Sequence, residues 1–282
     1  MKLCRYGKPG YEKPGMIDGE GKLRDLSKVV DNIGPNELSP RGLKMLSKLK
    51  ADSLPLVNGA PRFGVPYVGI GKFVAIGLNY SDHAKEAGMA IPTEPIVFMK
   101  ATTCINGPSD DIVQPRNSTK LDWEPELGVV IGSQARYVSE AAALSHVAGY
   151  CIVNDVSERS FQMATTQWDK GKGFDTAGPI GPWLVTTDEI PDPQNLDMAL
   201  DLNGKRMQTG NTRTMIFGVA RIVSHVSQYM TLMPGDIIAT GTPPGVGLGI
   251  KPTPTFLKPG DQLKLTIRGL GEQRQKVISY TG

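Results

Sequence analysis

Three carboxylates that lie close in the sequence offer the clearest chemistry in this chain. Glu124 and Glu126 sit in LDWEPELGVVIG, and Asp155 sits in GYCIVNDVSER. The EPELGVVIG run reads as a strand, where residues two apart face the same side, so Glu124 and Glu126 project together. Asp155 ends a second apolar run at 150–153 and can meet them from a neighbouring strand. Three carboxylates converging beside apolar strands repel one another and lose hydration unless a cation neutralises them. Oxygen-only ligation without paired His or Cys points to Mg²⁺, Mn²⁺ or Ca²⁺ rather than zinc. An E-x-E on a strand is by itself more often a solvated edge, so the metal reading depends on the rest of the chain.

A candidate base lies upstream. Of the three histidines, His83 alone falls in a Gly/Asn/Tyr-containing loop, whereas His146 and His225 fall in amphipathic helical patterns that suit structural roles. His83 and Glu86 are three apart and face each other on one helical turn. A carboxylate that holds and polarises an imidazole makes it a better base toward water. In KGKGFDTAGP, Gly171 and Gly173 let the backbone around Lys172 approach a ligand closely. Arg159, just past Asp155, suits a fork for carboxylate or keto oxygens. The backbone N–H groups and hydroxyls of Thr240-Gly241-Thr242 can hold a carboxylate, although a plain Pro/Gly turn has the same composition. GVGLG at 245–249 resembles a dinucleotide loop only superficially, because no βαβ unit precedes it.

These residues need a scaffold of many short strands. The 282 residues allow one large domain with a small appendage, and 33 Gly with 22 Pro favour turns over long helices. Residues 1–68 read as a small N-terminal α+β domain: a hairpin around Lys8-Pro9-Gly10, a strand and turn at 16–22, and a helix from Ser39 with Pro40 first and Leu43, Leu46 and Leu49 as its apolar stripe. Residues 69–282 form the main domain. There Leu263, Leu265 and Ile267 alternate with polar residues in a half-buried strand, and the more apolar 236–240 run is more central. Met215, Val219, Ile222, Val226 and Tyr229 predict an amphipathic helix, and 139–146 predicts a second with Ser139 as its N-cap. A net charge of +3, evenly spread, argues against nucleic acid, and no apolar stretch reaches membrane-spanning length. The N-terminus lacks a secretory pattern, and Cys4, Cys104 and Cys151 read as buried reduced thiols, so a cytoplasmic location is expected.

The ordered segments GLNYSDHAKEAG (77–88), FMK (98–100), DWEPELGVVIG (122–132), GYCIVNDVSERSFQ (149–162), KGKGFDTAGPIGPW (170–183), QTGNTRTMIF (208–217) and TGTPPGVG (240–247) resemble the fumarylacetoacetate hydrolase family. Within it they are most similar to short bacterial hydrolases of 2,4-diketo-3-deoxy sugar acids of the L-rhamnonate or L-fuconate type, as are the MKLCRYG start and the GKLRDLS turn. The resemblance implies a mixed-β fold with few helices, the family's β-sandwich roll. It implies metal ligation by Glu124, Glu126 and Asp155, with Mg²⁺ or Mn²⁺ as the ion. It places His83 and Glu86 on a lid over the substrate as base and orienter. Lys172, rather than Lys170, becomes the cation that stabilises the departing enolate. Tyr80, Lys100, Arg159, Gln162, Thr240, Gly241 and Thr242 become substrate contacts. SERSFQ departs from the family's commoner SARDxQ at Glu158 and Ser160.

The implied reaction is hydrolytic C–C cleavage of a 2,4-diketo acid to pyruvate and a second carboxylate, lactate if the substrate derives from rhamnonate or fuconate. Oxaloacetate decarboxylation, acylpyruvate hydrolysis and ureidoglycolate cleavage are the alternatives on the same scaffold, and a silent metal-binding paralogue is the alternative outside enzymes. The expected partner is the small diketo acid alone, in a homodimer or dimer of dimers.

Overall fold

Leu263, Leu265 and Ile267 are buried along one face of the strand Gln262–Ile267, with half-buried Lys264 and Thr266 on the other. This is the period-two pattern of a sheet packed on one side. The strand belongs to a five-stranded sheet with Asp197–Leu202, Lys205–Asn211, Gly271–Ser279 and Ile112–Gln114. Continuous apolar runs behave differently. Pro125–Ile131, Val147–Asn154 and Ile237–Ala239 are buried throughout and lie inside a ten-stranded sheet. This computed structural model describes residues 1–281 apart from the Ala87 side chain; Gly282, assigned above to the main domain, lies outside the described residues. The smaller sheet packs on strands 125–131, 147–154 and 178–186 of the larger, giving the expected mixed-β sandwich with few helices.

Polar ties fix how the two sheets meet. Gly271–Ser279 turns Gln273 and Gln275 into the interface. The pairing of Val147–Asn154 with Gly178–Thr186 is irregular between Tyr150 and Ile152, and Gln273 Nε2 donates to the Ile152 carbonyl there at 2.9 Å. Asn154 Nδ2 donates to Gln275 Oε1 at 3.3 Å, while Asn154 Oδ1 accepts from the Glu124 amide at 3.2 Å. Buried amides must find such partners, and here they lead to the end of the strand pair that carries the acidic residues.

The N-terminal segment extends the larger sheet. Lys2–Tyr6 pairs with Lys13–Ile17 through the expected hairpin and, on its other side, with Gly178–Thr186. Ser39 caps the helix Pro40–Leu46, its hydroxyl accepting from the Gly42 amide at 3.1 Å, and Leu49 falls beyond that helix.

Two other helices are shorter than their periodicity predicts. The 139–146 stretch is one turn of α-helix, Glu140–Ala143, followed by a 3₁₀ turn, Leu144–His146, and Ser139 makes no side-chain cap bond. The 215–229 pattern forms a helix only over Val219–Ser227. Asn79 explains its late start: its carbonyl takes the Ile216 amide at 2.7 Å and its Oδ1 the Phe217 amide at 2.8 Å, drawing both out of helical bonding. Tyr229 lies past the helix end, exposed, edge-on to His225.

Candidate active site

Pro125–Ile131 and Val147–Asn154 pair antiparallel, with Val153 opposite Glu126 and Asn154 opposite Pro125. The ladder closes where the Asp155 amide donates to the Glu124 carbonyl at 2.9 Å. Glu124, Glu126 and Asp155 therefore leave the sheet at one end, with carboxylate oxygens all within 4.8 Å of one another and all three residues buried. The expected triad is assembled.

Its charges are unequally compensated. Glu124 accepts from Lys172 Nζ at 2.6 Å and Arg159 Nη2 at 2.6 Å. Burial alone raises its pKa, but the two cations outweigh burial and bring it down to about 2. Asp155 accepts from Lys172 Nζ at 2.8 Å and Lys100 Nζ at 2.6 Å. Among the described residues Glu126 accepts only the Gly241 amide, at 2.8 Å. Burial, then the neighbouring Asp155 and Glu124, push its carboxyl well above the usual range. Three buried carboxylate oxygens fit a hard divalent cation.

His83 and Glu86 lie on the helix Ser81–Ala87, with His83 Nδ1 3.1 Å from Glu86 Oε2. Both face the cleft that holds the triad, a cavity of about 570 Å³ also lined by Arg159, Gln162, Lys172, Gly241 and Thr242. Gln162 Oε1 accepts from Arg159 Nη1 at 3.0 Å. Most of the sequence-predicted site is thus brought together.

Three expected substrate contacts are not. Tyr80 is buried in the core, its hydroxyl on Met198 Sδ at 3.2 Å. Thr240 directs its hydroxyl to the Leu127 carbonyl at 2.9 Å, continuing the sheet. Lys100 is fully buried and bound to Asp155 and the Lys172 carbonyl, so it positions Asp155 and does not line the cleft. Gly171 and Gly173 approach protein, not ligand: a Cβ on Gly171 would stand 2.4 Å from the Gln162 amide, and one on Gly173 3.0 Å from the Ala101 amide. Glu158 and Ser160 face away from the cleft. Glu158 caps the helix Arg159–Gln162 through the Ser160 amide at 3.0 Å, so SERSFQ is a local cap that aims Arg159 and Gln162.

Sequence reasoning missed Asp122, the apolar wall and Lys251. Asp122 is buried and takes Arg159 Nε at 2.8 Å. Its signal was present, because D-x-E-x-E continues the spacing of two. Met89, Phe98, Met163, Trp168, Val246 and Leu248 give the cleft an apolar wall, and Lys251 joins the lining. Trp168 stands against Phe98, ring centres 5.3 Å apart, over Gly77, where a Cβ would lie 2.6 Å from its ring. No periodicity announces such a wall, since it is drawn from separate segments of the chain.

The fumarylacetoacetate hydrolase C-terminal profile matches residues 72–278. The 2,4-didehydro-3-deoxy-L-rhamnonate hydrolase of Sphingomonas sp. strain SKA58 is 60% identical over 281 residues, 99% of this chain and 97% of its own. Among solved structures, fumarylacetoacetate hydrolase from Exiguobacterium antarcticum superposes with a TM-score of 0.90 at 36% identity, covering 99% of this chain and 100% of that one. Maleylpyruvate hydrolase from Sphingobium superposes at 0.83 and 26% identity, with coverage of 99% and 100%. The chain belongs to the fumarylacetoacetate hydrolase family and is a hydrolase whose site fits that family's cleavage of carbon–carbon bonds.

Proposed function

We propose that this enzyme hydrolyses the C3–C4 bond of a 2,4-diketo-3-deoxy sugar acid, with 2,4-didehydro-3-deoxy-L-rhamnonate as the leading substrate and Mg²⁺ or Mn²⁺ at the triad. The observation that carries the reading is one cleft in which the acidic triad, Lys172 and Arg159 face the His83–Glu86 pair. The activity named for the Sphingomonas relative supports the choice of substrate.

Glu124, Glu126 and Asp155 would hold the ion. When bound it supplies Lewis acidity toward the substrate's carboxylate and 2-keto oxygens. Glu86 orients His83 through Nδ1, which leaves Nε2 to accept the proton of a water. That water attacks C4, the C3–C4 bond breaks, and its electron pair passes to the pyruvate enolate. The Lys172 ammonium stabilises the enolate charge, and protonation at C3 completes pyruvate. The oxygen of water ends in the second carboxylate, which is lactate for the rhamnonate-derived acid. Arg159, steadied by Gln162, grips anionic substrate oxygens. The apolar wall suits the methyl end of a deoxy acid.

Lys251 in the lining favours a second reading, a diketo acid with a distal carboxylate, in line with the name of the Sphingobium neighbour. Pyruvate release from a panel of both substrate kinds separates the two. Hydrolysis in H₂¹⁸O must place label in the second carboxylate product; pyruvate formed without that label would overturn the reaction and favour decarboxylation.

A further inference from the structure

Apart from the wall side chains Val246 and Leu248, the turn at 245–249 has no role in the reaction described above, yet its backbone holds two carboxylates. Its Gly245 amide donates to Glu86 Oε2 at 3.1 Å, the same oxygen that faces His83. Its Gly247 and Leu248 amides donate to Asp122 Oδ1 at 2.7 Å and Oδ2 at 3.0 Å. Alternate glycines make room for both acids. A Cβ on Gly247 would lie 2.7 Å from Asp122 Oδ1 and 2.0 Å from the Thr255 carbonyl, and one on Gly249 would lie 3.2 Å from Glu86 Oε2. Asp122 carries the connection onward, since it also accepts from Arg159 Nε, and Arg159 Nη2 reaches Glu124.

We propose that Asp122 is a positioning residue that fixes the 245–249 turn against Arg159, so that the His83–Glu86 pair and the substrate-gripping arginine are held in one register; this deepens the diketo-acid site proposed above. Asp122 is not itself part of the cleft lining; it stands behind two lining residues, Arg159 and Leu248. Its effect passes through three donors at once, and a buried charge-assisted bond of this kind fixes geometry as well as energy. The glycine spacing that resembles a nucleotide loop is thereby accounted for: its amides bind the protein's own carboxylates rather than phosphate.

Asp122→Asn keeps the volume but cannot accept from all three donors. Oxalate, a planar dianion that imitates the enolate, serves as the probe at saturating Mn²⁺. In a variant with unchanged far-UV circular dichroism, oxalate affinity by calorimetry should fall at least tenfold, and KM for the diketo acid should rise more than kcat falls. Amide exchange should speed up not only at 247 and 248 but also at Gly245, whose own partner Glu86 is untouched. Leu248→Pro deletes one of the three donors without changing Asp122, at a 3₁₀ position that proline's backbone angle suits. It should move both readouts in the same direction by less, and it decides the matter if Asp122→Asn does not fold. Wild-type oxalate affinity and wild-type Gly245 protection in a folded variant overturn the proposal. If Mn²⁺ does not bind the wild-type protein, the metal reading fails, and the Gly245 exchange still decides the role of Asp122.

Discussion

Replacing Lys172 by methionine should move metal affinity and catalysis in opposite directions. The Lys172 ammonium lies 2.6 Å from Glu124 Oε2 and 2.8 Å from Asp155 Oδ2, so it competes with any ion for those oxygens. With charge centres about 4 Å apart and an effective dielectric of about 20, each attraction is about 4 kcal/mol. The two together reach about 8 kcal/mol, of which withdrawing the ammonium from water takes back several. The remainder agrees with the roughly 3–5 kcal/mol lost when one partner of a buried pair is removed. At about 2–4 °C per kcal/mol for a chain of this size, the chelator-treated variant should melt about 6–20 °C below wild type. Methionine keeps the side chain's length and its packing beside Phe98, whose ring centre lies 5.3 Å from Nζ. The triad then carries one cation fewer, so Mg²⁺ should bind at least about tenfold more tightly, a difference of about 1.4 kcal/mol. Meanwhile kcat should fall, because the enolate loses its ammonium. Differential scanning fluorimetry with and without saturating Mg²⁺ reads the effect directly. A Mg²⁺-induced rise in Tm no larger than that of wild type would refute the reasoning, since the lysine would then not oppose the ion.

Exhaustive chelation should abolish turnover, and Mg²⁺ or Mn²⁺ should restore it; full activity in metal-free protein would remove the triad from the mechanism. His83→Ala or Glu86→Ala should lower kcat by about 10²–10⁴-fold while calorimetry shows Mg²⁺ still bound, because both act on water rather than on the ion. Glu126 sets the pH dependence. Its carboxyl, raised by burial and then by Asp155 and Glu124, keeps in the folded state a proton that the unfolded chain releases. Stability of the metal-free protein should therefore decline as pH climbs from the ordinary carboxyl range through the raised value, as melting curves across pH will show. Near neutral pH, Mg²⁺ loading should expel about one proton, measured by calorimetry in buffers of different ionisation enthalpy, and Glu126→Gln should abolish that release.

The parts of the fold legible in the sequence are those set by a local pattern. Alternation revealed the strand Gln262–Ile267, continuous burial revealed the central Ile237–Ala239, and Ser39-Pro40 marked a helix start. Spacing of two and of three brought out Glu124 with Glu126 and His83 with Glu86. Long-range polar bonds decided the rest. Asn79 shortens a helix well over a hundred residues downstream, and Met198 accepts the Tyr80 hydroxyl that motif position had assigned to substrate. Periodicity reports which face is buried; it carries no information on which distant amide a carbonyl will take.

Charge balance in the cleft explains why ion and substrate belong together. Glu86, Glu124 and Asp155 line it against Arg159, Lys172 and Lys251, so with Glu126 holding its proton and His83 set aside the lining is balanced. An anionic acid entering that cleft unaided finds no surplus positive charge, and ionised Glu126 would add like charge where screening by water is weak. A divalent ion that displaced the Glu126 proton would leave one positive charge, the complement of a single carboxylate. Arg159 and Lys172 cannot do this alone, because both are already paired with Glu124. Substrate binding should therefore be conditional on the ion, with pyruvate or oxalate failing to bind the metal-free protein by calorimetry. A second, distal carboxylate would exceed that balance unless it reached Lys251, so Lys251→Ala should weaken dicarboxylic diketo acids selectively and leave the deoxy sugar acid largely unaffected. Equal losses on both would remove Lys251 as the discriminating group.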